Sequence, residues 1–368
     1  MAPPWKPDTA RNEARRLLGE VVRGVDPSAS KQSKRKAATV GELCDAYLSD
    51  AQAGRVLTRQ KATKKPSTLV TDRSRIERHI RPLLGSMKVN AVTRQDIEEF
   101  MHAVAQGKTA ARIPTKPRGL ANVRGGKGAA TRTVGLLGAI FSYAVRQRLR
   151  PDNPVNGVSR FADGRRRRRL SPEEYGRLGL AFHKAGSAGI AKSAIEVARS
   201  LLVTGWRSGE ALGLRWADID VPRRTAILLD TKSGRSMRQL SDIACAIIGG
   251  MGRRDDCELV FPATSGGGPL AGFPKMFARI RNLGAIPRDV TPHTLRHSYA
   301  SLAGDMGYSE STIAALIGHK GSTVTSRYVH AADAVLVRAA DAVANETMSL
   351  LNEGIVPQVA EERLRART

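Results

Sequence analysis

Three short patches of the sequence place basic side chains where they suit chemistry on an anionic group. Arg207 lies in TGWRSGEALGLRW, Lys232 in TKSG, and His293 and Arg296 in PHTLRHS. His293 and Arg296 share a helix face because they are three residues apart. Arginine binds phosphate through paired hydrogen bonds and keeps its charge. Each patch alone is typical of a solvated surface charge, but together they supply cations for one anion-binding site.

A fourth patch, LIGHKGSTVTSRYVH, places Tyr328 downstream of the pair Gly318-His319. A core tyrosine normally lies in an apolar pattern, whereas this segment is rich in Gly, Ser and Thr. A tyrosine hydroxyl is a competent nucleophile that forms covalent intermediates. The polar setting therefore predicts that Tyr328 reaches a reacting group instead of packing in a core.

The four patches together predict a site for phosphoryl transfer. Such reactions depend mainly on positioning and on charge stabilisation, which fixed cations provide without a metal. The predicted catalytic residues are Arg207, Lys232, His293, Arg296, His319 and Tyr328. We expect no metal and no cofactor at this site.

A zinc site is the alternative interpretation of the histidines. His293 and His297 have the four-residue spacing of zinc ligands. The stretch HTLRH lacks the glutamate of a metalloprotease motif, and no further ligand follows at close spacing. The three cysteines are far apart and odd in number, which argues against both a metal pair and a disulfide framework. With no signal peptide and no membrane-length apolar run, we expect a cytoplasmic protein of the bacterial nucleoid and no membrane partner.

The charge of the chain predicts a polyanionic partner. Sixty Lys and Arg against 34 Asp and Glu give a net charge of +26. Residues 331–368 instead carry four basic and six acidic side chains, a net of −2, so the remainder carries +28. An excess of this size concentrated outside the tail is the electrostatic footprint of a nucleic-acid binder. A polyanion such as a nucleic acid is the expected partner.

The amino-terminal part of the chain has the pattern of a helical domain. Residues 1–38 comprise one basic helix, Thr9 to Arg23, and a linker. A helical domain is then expected over 39–160, with a capping box in TVGE, a second helix from Ser67 to Leu84, a third capped by Thr93 and a fourth opened by Thr131. Between the last two helices, Gly107 to Gly128 is expected to be a basic, irregular loop.

Basic residues in these segments are predicted to contact DNA phosphates. A polybasic linker, 161–170, separates the two domains, and its like charges are expected to keep it extended. The predicted DNA contacts are Arg73, Arg75, Arg78, Lys116, Arg118, Arg124, Lys127, Arg165, Arg166, Arg167, Arg168, Arg169 and Arg235.

The second domain, 171–345, is expected to be helical with a small antiparallel sheet. Ser171-Pro172 begins its first helix, and TAILLDTKSGRSMRQL predicts a β-hairpin turning at Ser233-Gly234. An earlier strand near Ile219 completes the sheet. Residues 346–368 are expected to form a tail that contacts a neighbouring subunit, because Met348, Leu350 and Leu351 belong to a short terminal apolar cluster. The fold class is therefore mainly α (α+β): a helical domain followed by a mixed α/β domain.

The ordered set of motifs resembles the signature of the tyrosine recombinase (phage integrase) family. The resemblance covers about 171–345 as the catalytic domain and about 39–160 as the core-binding domain. It implies that Tyr328 attacks the scissile phosphate to leave a 3′-phosphotyrosine, while Arg207, Arg296, His293 and His319 neutralise it and Lys232 protonates the leaving oxygen. Neither metal nor ATP is needed, because the bond energy is conserved. Residues 1–38 resemble the end of an arm-binding domain, without the small sheet that usually precedes this helix.

The resemblance also implies partners and leaves two alternatives. A site-specific recombinase that integrates or excises a mobile element acts as a homotetramer on DNA, can be a monomer when free, and can work with accessory DNA-bending or directionality factors. A type IB topoisomerase-like enzyme shares the nucleophile chemistry but relaxes DNA as a monomer. A catalytically silent DNA-binding regulator would use the same scaffold, but it has no reason to keep all six chemical residues.

Overall fold

A computed structural model gives the fold of the chain. It describes residues 6–23, 37–114, 119–162, 164, 168–231, 234–264, 267–318 and 333–353. The chain divides into two compact units, Met1–Gly164 and Arg165–Thr368. Helices dominate both units and the strands are few and antiparallel, so the predicted fold class is confirmed. None of the helices in the described part of the chain is both long and apolar enough to span a membrane.

The first unit is helical, with one small hairpin. Its elements are α1 (Pro7–Val22), α2 (Val40–Gln52), α3 (Pro66–Arg75), a π-helical turn (Ile76–Ile80), α4 (Arg81–Leu84), α5 (Arg94–Ala105), β1 (Ala111–Pro114), β2 (Leu120–Val123) and α6 (Lys127–Arg146). A core of aliphatic and aromatic side chains from α2 to α6 fills its centre, with Tyr47, Ile76, Ile97, Leu137 and Phe141 almost fully buried.

Capping residues fix the starts of several helices. Thr39 accepts a hydrogen bond from the Glu42 backbone N–H (3.2 Å), and the Glu42 carboxylate accepts one from the Thr39 backbone N–H (2.7 Å). This pair is the predicted capping box, and Thr93 forms a second one with Asp96. The fourth long helix begins earlier than predicted, at Lys127 instead of Thr131. The backbone at Gly126 has φ 91°, a conformation that glycine adopts without strain, and this turn starts the helix without a side-chain cap.

The predicted helix from Ser67 to Leu84 is interrupted by the π-helical turn. Pro82 lacks a backbone N–H, and its ring would collide with the carbonyl of residue 78 in a regular α-helix. The wider turn accommodates the proline, and Arg81 donates its N–H to the Ile76 carbonyl. Ile76 and Ile80, the first and last residues of the π-helical turn, are fully buried.

The segment from Gly107 to Gly128 contains a β-hairpin, so the prediction of an irregular loop is wrong. Strands β1 and β2 pair antiparallel, with Ala111 opposite Val123 and Pro114 opposite Leu120. Both strands have four residues and are largely exposed. An exposed hairpin needs no apolar alternation, which is why the sequence pattern does not indicate it.

The second unit combines eight helices among the described residues with a three-stranded sheet. Its elements are α7 (Pro172–Ala185), α8 (Lys192–Thr204), α9 (Ser208–Leu212), β3 (Ile219–Asp220), β4 (Thr225–Thr231), β5 (Gly234–Gln239), α10 (Asp242–Gly249), α11 (Phe273–Leu283), α12 (Pro292–Asp305), α13 (Glu310–Ile317) and α14 (Asp333–Glu353), together with a 3₁₀ turn (Trp216–Asp218). The strand order β3-β4-β5 and the pairing of Thr225 with Gln239 confirm the predicted hairpin and the earlier strand. Ser171 caps α7 as predicted, with Pro172 in the first turn.

The last helix packs within its own unit, which corrects the predicted tail boundary at residue 346. Helix α14 continues to Glu353, and Leu351 is only 3% exposed among side chains of the unit's main core. Met348 and Leu350 pack partly buried against the same core. The backbone of Gly179 in α7 lies so close to Leu351 that an added Cβ would overlap the Leu351 carbonyl oxygen. Residues 354–368 lie outside the described residues, so a tail that contacts a neighbour stays a prediction for them.

We expect Gly179→Ala to destabilise the second unit. The new methyl group would overlap backbone atoms, which cannot move aside as a flexible side chain can. Such overpacking costs about 1–3 kcal/mol. Gly186→Ala, just after the same helix and with open space around its Cβ position, is the matched control. Chemical denaturation would measure both, and equal free energies of unfolding for the two variants would contradict the close contact between α7 and α14.

Candidate active site

The stretch TGWRSGE forms a tight connection between α8 and α9. Gly205 ends α8 in the left-handed conformation, with φ 63°. An added Cβ at this position would overlap the ring of Tyr299, so both the conformation and the packing require glycine. Arg207 then precedes α9, and its backbone N–H donates to the Glu210 carboxylate at 2.9 Å. The Arg207 Nη1 donates to the other carboxylate oxygen at 2.7 Å, so Glu210 fixes both the backbone and the guanidinium of Arg207.

Arg296 is held against the same turn from α12. Its Nη1 donates to the Gly205 carbonyl at 2.7 Å and lies 4.0 Å from Glu210 Oε2. The side chain is 4% exposed, and its Nη2 has no hydrogen-bond partner among the described residues. Burial, with a contribution from the nearby Arg207 charge, lowers the pKa of Arg296 to about 10. The structure therefore brings Arg207 and Arg296 together as predicted, with Glu210 between them.

A third arginine, which the sequence analysis missed, lies in the same cluster. Arg238 in β5 is 1% exposed, and its Nη2 lies 4.0 Å from Glu210 Oε1. The strand pattern in SMRQL contained a signal for this burial. Successive residues of a strand point to opposite faces, so Arg238 lies on the face opposite the exposed Met237 and on the same face as the buried Leu240. An arginine on the buried face of a strand indicates a special partner, because charged residues are almost never fully buried unless paired.

These residues form a buried cationic cluster: Arg207, Arg238 and Arg296 around Glu210. One carboxylate faces three guanidinium groups, and Arg207 is the most exposed of them, with a side chain 27% exposed. Opposite charges and hydrogen bonds normally compensate buried ions, and here the positive charge exceeds the negative. An anion that binds beside Arg207 and Arg296 would balance the excess, as a phosphate group does.

Three of the six predicted catalytic residues lie in the described part of the chain. His293 is exposed near the start of α12, one turn before Arg296, and its ring centroid lies 4.6 Å from that of His297. Lys232, His319 and Tyr328 lie outside the described residues. The described residues next to two of them are Thr231 and Gly234, which pair at the β4–β5 turn, and Gly318, which ends α13. Across the described ranges, no three His, Cys, Asp or Glu side chains are grouped so that they could hold a metal ion.

The predicted DNA contacts in the first unit differ in their exposure. Arg73, Arg124 and Lys127 are exposed, and the Lys127 ammonium lies 5.7 Å from the centre of the Phe161 ring. Arg75 and Arg78 are half-buried, and Arg75 lies 3.9 Å from Asp72. Lys116 and Arg118 fall outside the described residues. All of these contacts stay predictions.

Arg168 and Arg169, the last two arginines of the predicted polybasic linker, form ion pairs with acidic residues of their own unit, and the extended conformation of the run stays a prediction. Arg168 donates to both Glu174 carboxylate oxygens, one of them at 2.7 Å, and to Asp289 at 2.9 Å. Arg169 pairs with Asp305. Both side chains are fixed to their own unit, because acids in α7, α12 and the segment between α11 and α12 offset the repulsion within the run. Residues 165–167 and the side chain of Arg235 lie outside the described part of the structure.

Comparison with family models matches both units of the chain. Residues 168–334 match the Phage integrase family, and residues 57–104 match the model described as Phage integrase, N-terminal SAM-like domain. The first match contains the whole cationic cluster and extends past Tyr328. The second lies within the helical unit.

Relatives of similar sequence are named tyrosine recombinases. The chain is 27% identical over 255 residues to a tyrosine recombinase of Thermosipho africanus, covering 67% of this chain and 83% of the relative. It is 26% identical over 277 residues to tyrosine recombinase XerD of Bifidobacterium longum, covering 69% of this chain and 82% of the relative.

Solved structures share the fold. A lambda integrase tetramer bound to a Holliday junction aligns with a TM-score of 0.62 and 20% identity, covering 87% of this chain and 89% of that one. A Tn1549 transposon integrase in complex with circular intermediate DNA aligns with a TM-score of 0.58 and 18% identity, covering 82% and 99%. With the family models, the named relatives and the arginine cluster in agreement, the chain belongs to the phage integrase family of tyrosine recombinases.

Proposed function

We propose that this chain cuts and rejoins DNA strands at specific sites through a covalent 3′-phosphotyrosine intermediate. The observation that carries the proposal is the buried cationic cluster, in which Arg296 keeps an unpartnered Nη2 among the described residues. Preorganised donors of this kind stabilise charge that develops in a transition state, because they need not reorganise when the reaction occurs. A scissile phosphodiester beside Arg207 and Arg296 would gain this stabilisation as its non-bridging oxygens become more negative.

The predicted roles of the remaining residues follow from the atoms that must move. The Tyr328 hydroxyl loses its proton to solvent water, its oxygen forms a bond to phosphorus, and the bond from phosphorus to the 5′ oxygen breaks. Lys232 donates a proton to that oxygen, so the leaving group departs as a 5′-OH. His293 and His319 add hydrogen bonds to the phosphate. Attack by the 5′-OH of a partner strand reverses the step and releases Tyr328.

The wider assignment concerns assembly and biological substrate. The lambda integrase comparison structure is a tetramer bound to a Holliday junction, and the Tn1549 integrase is a transposon enzyme. We infer that this chain likewise binds double-stranded DNA sites, assembles as a tetramer on them, and integrates or excises a mobile element. The net charge of +26 supports DNA binding, since phosphate neutralisation by Lys and Arg dominates such affinity.

Replacing the nucleophile tests the central proposal. We expect Tyr328→Phe to bind recombination-site DNA like the parent and to form no covalent adduct, because only the hydroxyl is removed. A denaturing gel of protein incubated with nicked half-site DNA measures the adduct directly. A phosphotyrosyl adduct in the Phe variant would contradict the assignment. Absence of any adduct in the parent on its own site would favour the silent DNA-binding regulator.

Lys232→Ala tests the proton donor. We expect strand cleavage to slow by about 10²–10⁴-fold, the usual contribution of a general acid. A substrate with sulfur in place of the bridging 5′ oxygen should restore the rate, because a thiolate leaves without a proton. Lys184→Ala, an exposed position on α7, is the control. Failure of the sulfur substrate to restore cleavage would show that Lys232 has another role.

Truncation tests the tail, and the packing of α14 decides where to cut. Deletion after Asn345 would remove Leu351 from the core, so the informative protein ends at Glu353. We expect this truncation to bind a half-site normally and to assemble poorly on a full site, because the removed residues are predicted to contact a neighbouring subunit. Light scattering of the complex on full-site DNA measures assembly. An unchanged tetramer would contradict the predicted role of residues 354–368.

A further inference from the structure

Arg238 is more deeply buried than the predicted phosphate ligands. Its side chain is 1% exposed, against 27% for Arg207. Its Nη1 contacts the Ser236 hydroxyl and donates to the Met237 carbonyl at 3.3 Å. Its Nε and Nη2 have no hydrogen-bond partner in the described part of the chain. The contacts described for Arg238 are all with protein groups of the sheet, the α13 cap and Glu210, which favours a role in the reaction through these neighbours.

One of those neighbours is the last described residue before His319. Gly318 ends α13 with φ 69°, and a Cβ added there would overlap the guanidinium of Arg238. The guanidinium therefore occupies the space that a side chain at 318 would take. Arg238 also lies on the strand that follows the turn at Lys232, with Thr231 paired to Gly234 across that turn. It is a packing link between the elements that lead to two of the predicted catalytic residues.

Among the described residues, the charge of Arg238 is compensated only by a shared carboxylate at a distance. Glu210 accepts its closest hydrogen bond from Arg207, at 2.7 Å, and lies 4.0 Å from both Arg238 and Arg296. Burial lowers the pKa of the Arg238 guanidinium, and the Arg207 charge lowers it further. A buried cation with unpartnered donors is expected to cost stability, and replacing such groups with apolar side chains is often neutral or stabilising. Stability of the free protein therefore does not explain this arginine.

We propose that Arg238 is a positioning residue for strand cleavage. It fixes the β4–β5 hairpin, which precedes and follows Lys232, against Gly318, the residue before His319. It also holds Glu210 between Arg207 and Arg296. This inference rests on the proposed function of the site. Its positive charge lies in the same cluster as Arg207 and Arg296 and adds to the field at the phosphate. These contacts hold Gly318, Glu210 and the strand after the β4–β5 turn in place before DNA binds.

The first experiment compares Arg238→Met with Arg238→Lys. Parent and variants are assayed for half-site binding, for single-turnover cleavage of a nicked substrate and for thermal unfolding. We expect Arg238→Met to bind DNA like the parent and to cleave about 10²-fold more slowly, because small misplacements of reacting groups have effects of this size. Arg238→Lys should recover part of the rate. The midpoint of thermal unfolding of Arg238→Met should equal or exceed that of the parent.

Arg254→Met is the control for loss of an arginine. Arg254 is exposed and pairs with Asp256 at 2.7 Å, away from the cluster, and its replacement should leave all three measurements unchanged. A parent rate of cleavage in Arg238→Met would overturn the inference. A fall in thermal stability that parallels the fall in cleavage would also overturn it, since that result indicates a merely structural role. Failure of the parent itself to cleave would instead reject the proposed function.

A second experiment tests the contact with Gly318. We expect Gly318→Ala to slow cleavage more than Gly307→Ala, which has a similar positive φ of 84° but open space around its Cβ position. In the Arg238→Met background the guanidinium is gone, so Gly318→Ala should add little further loss. Independent effects of the two substitutions, multiplying in the double variant, would contradict the proposed link.

Discussion

The second unit is organised around Glu210, whose single negative charge faces the positive charges of three arginines. One carboxylate at the start of α9 faces Arg207 from its own turn, Arg296 from α12 and Arg238 from β5. Each arginine arrives from a different element, so the charges can meet only when helices and sheet are all in place. Because like charges repel strongly where water is excluded, the surrounding fold must supply the energy that holds them together.

The hydrophobic core of the unit supplies that energy, and its close packing also explains why residue 205 is a glycine. Helices α7, α8, α11 and α14 bury a continuous set of aliphatic and aromatic side chains, and the turn at Gly205 rests on the ring of Tyr299. Gly205 also offers its carbonyl to Arg296, so one residue ends a helix, admits an aromatic ring and orients a predicted phosphate ligand. Two of the three arginines thereby extend from a strand and a helix, and Arg207 lies in a short connection fixed by Glu210, which suits a site whose chemistry depends on positioning.

The basic residues of the chain fall into two classes that composition alone does not separate. Arg168 and Arg169 form ion pairs within their own unit, and Arg238 and Arg296 are buried in the cluster. Arg73, Arg124 and Lys127 are exposed and available to a polyanion. A net charge of +26 therefore overstates the number of cations free for phosphate contact, since part of the excess maintains the fold and the site.

Much of this protein is determined by local sequence. The capping boxes at Thr39 and Ser171, the hairpin over 225–240 and the ordered motifs containing Arg207, His293 and Arg296 follow from short-range chemistry, which acts within a few residues. The family resemblance rests on the same motifs, because their order and spacing can be seen in the sequence without a structure.

Tertiary structure alone decided which of these residues meet and which are already paired. Arg238 joins Glu210 only after β5 packs beside α9 and α13, and Leu351 belongs to the core only because Gly179 lets the backbone of α14 approach α7. The hairpin over 111–123 is exposed and so has no alternating pattern to indicate it. In the first two cases the deciding interaction joins residues far apart in the chain, and periodicity within a segment carries no information about its distant partner.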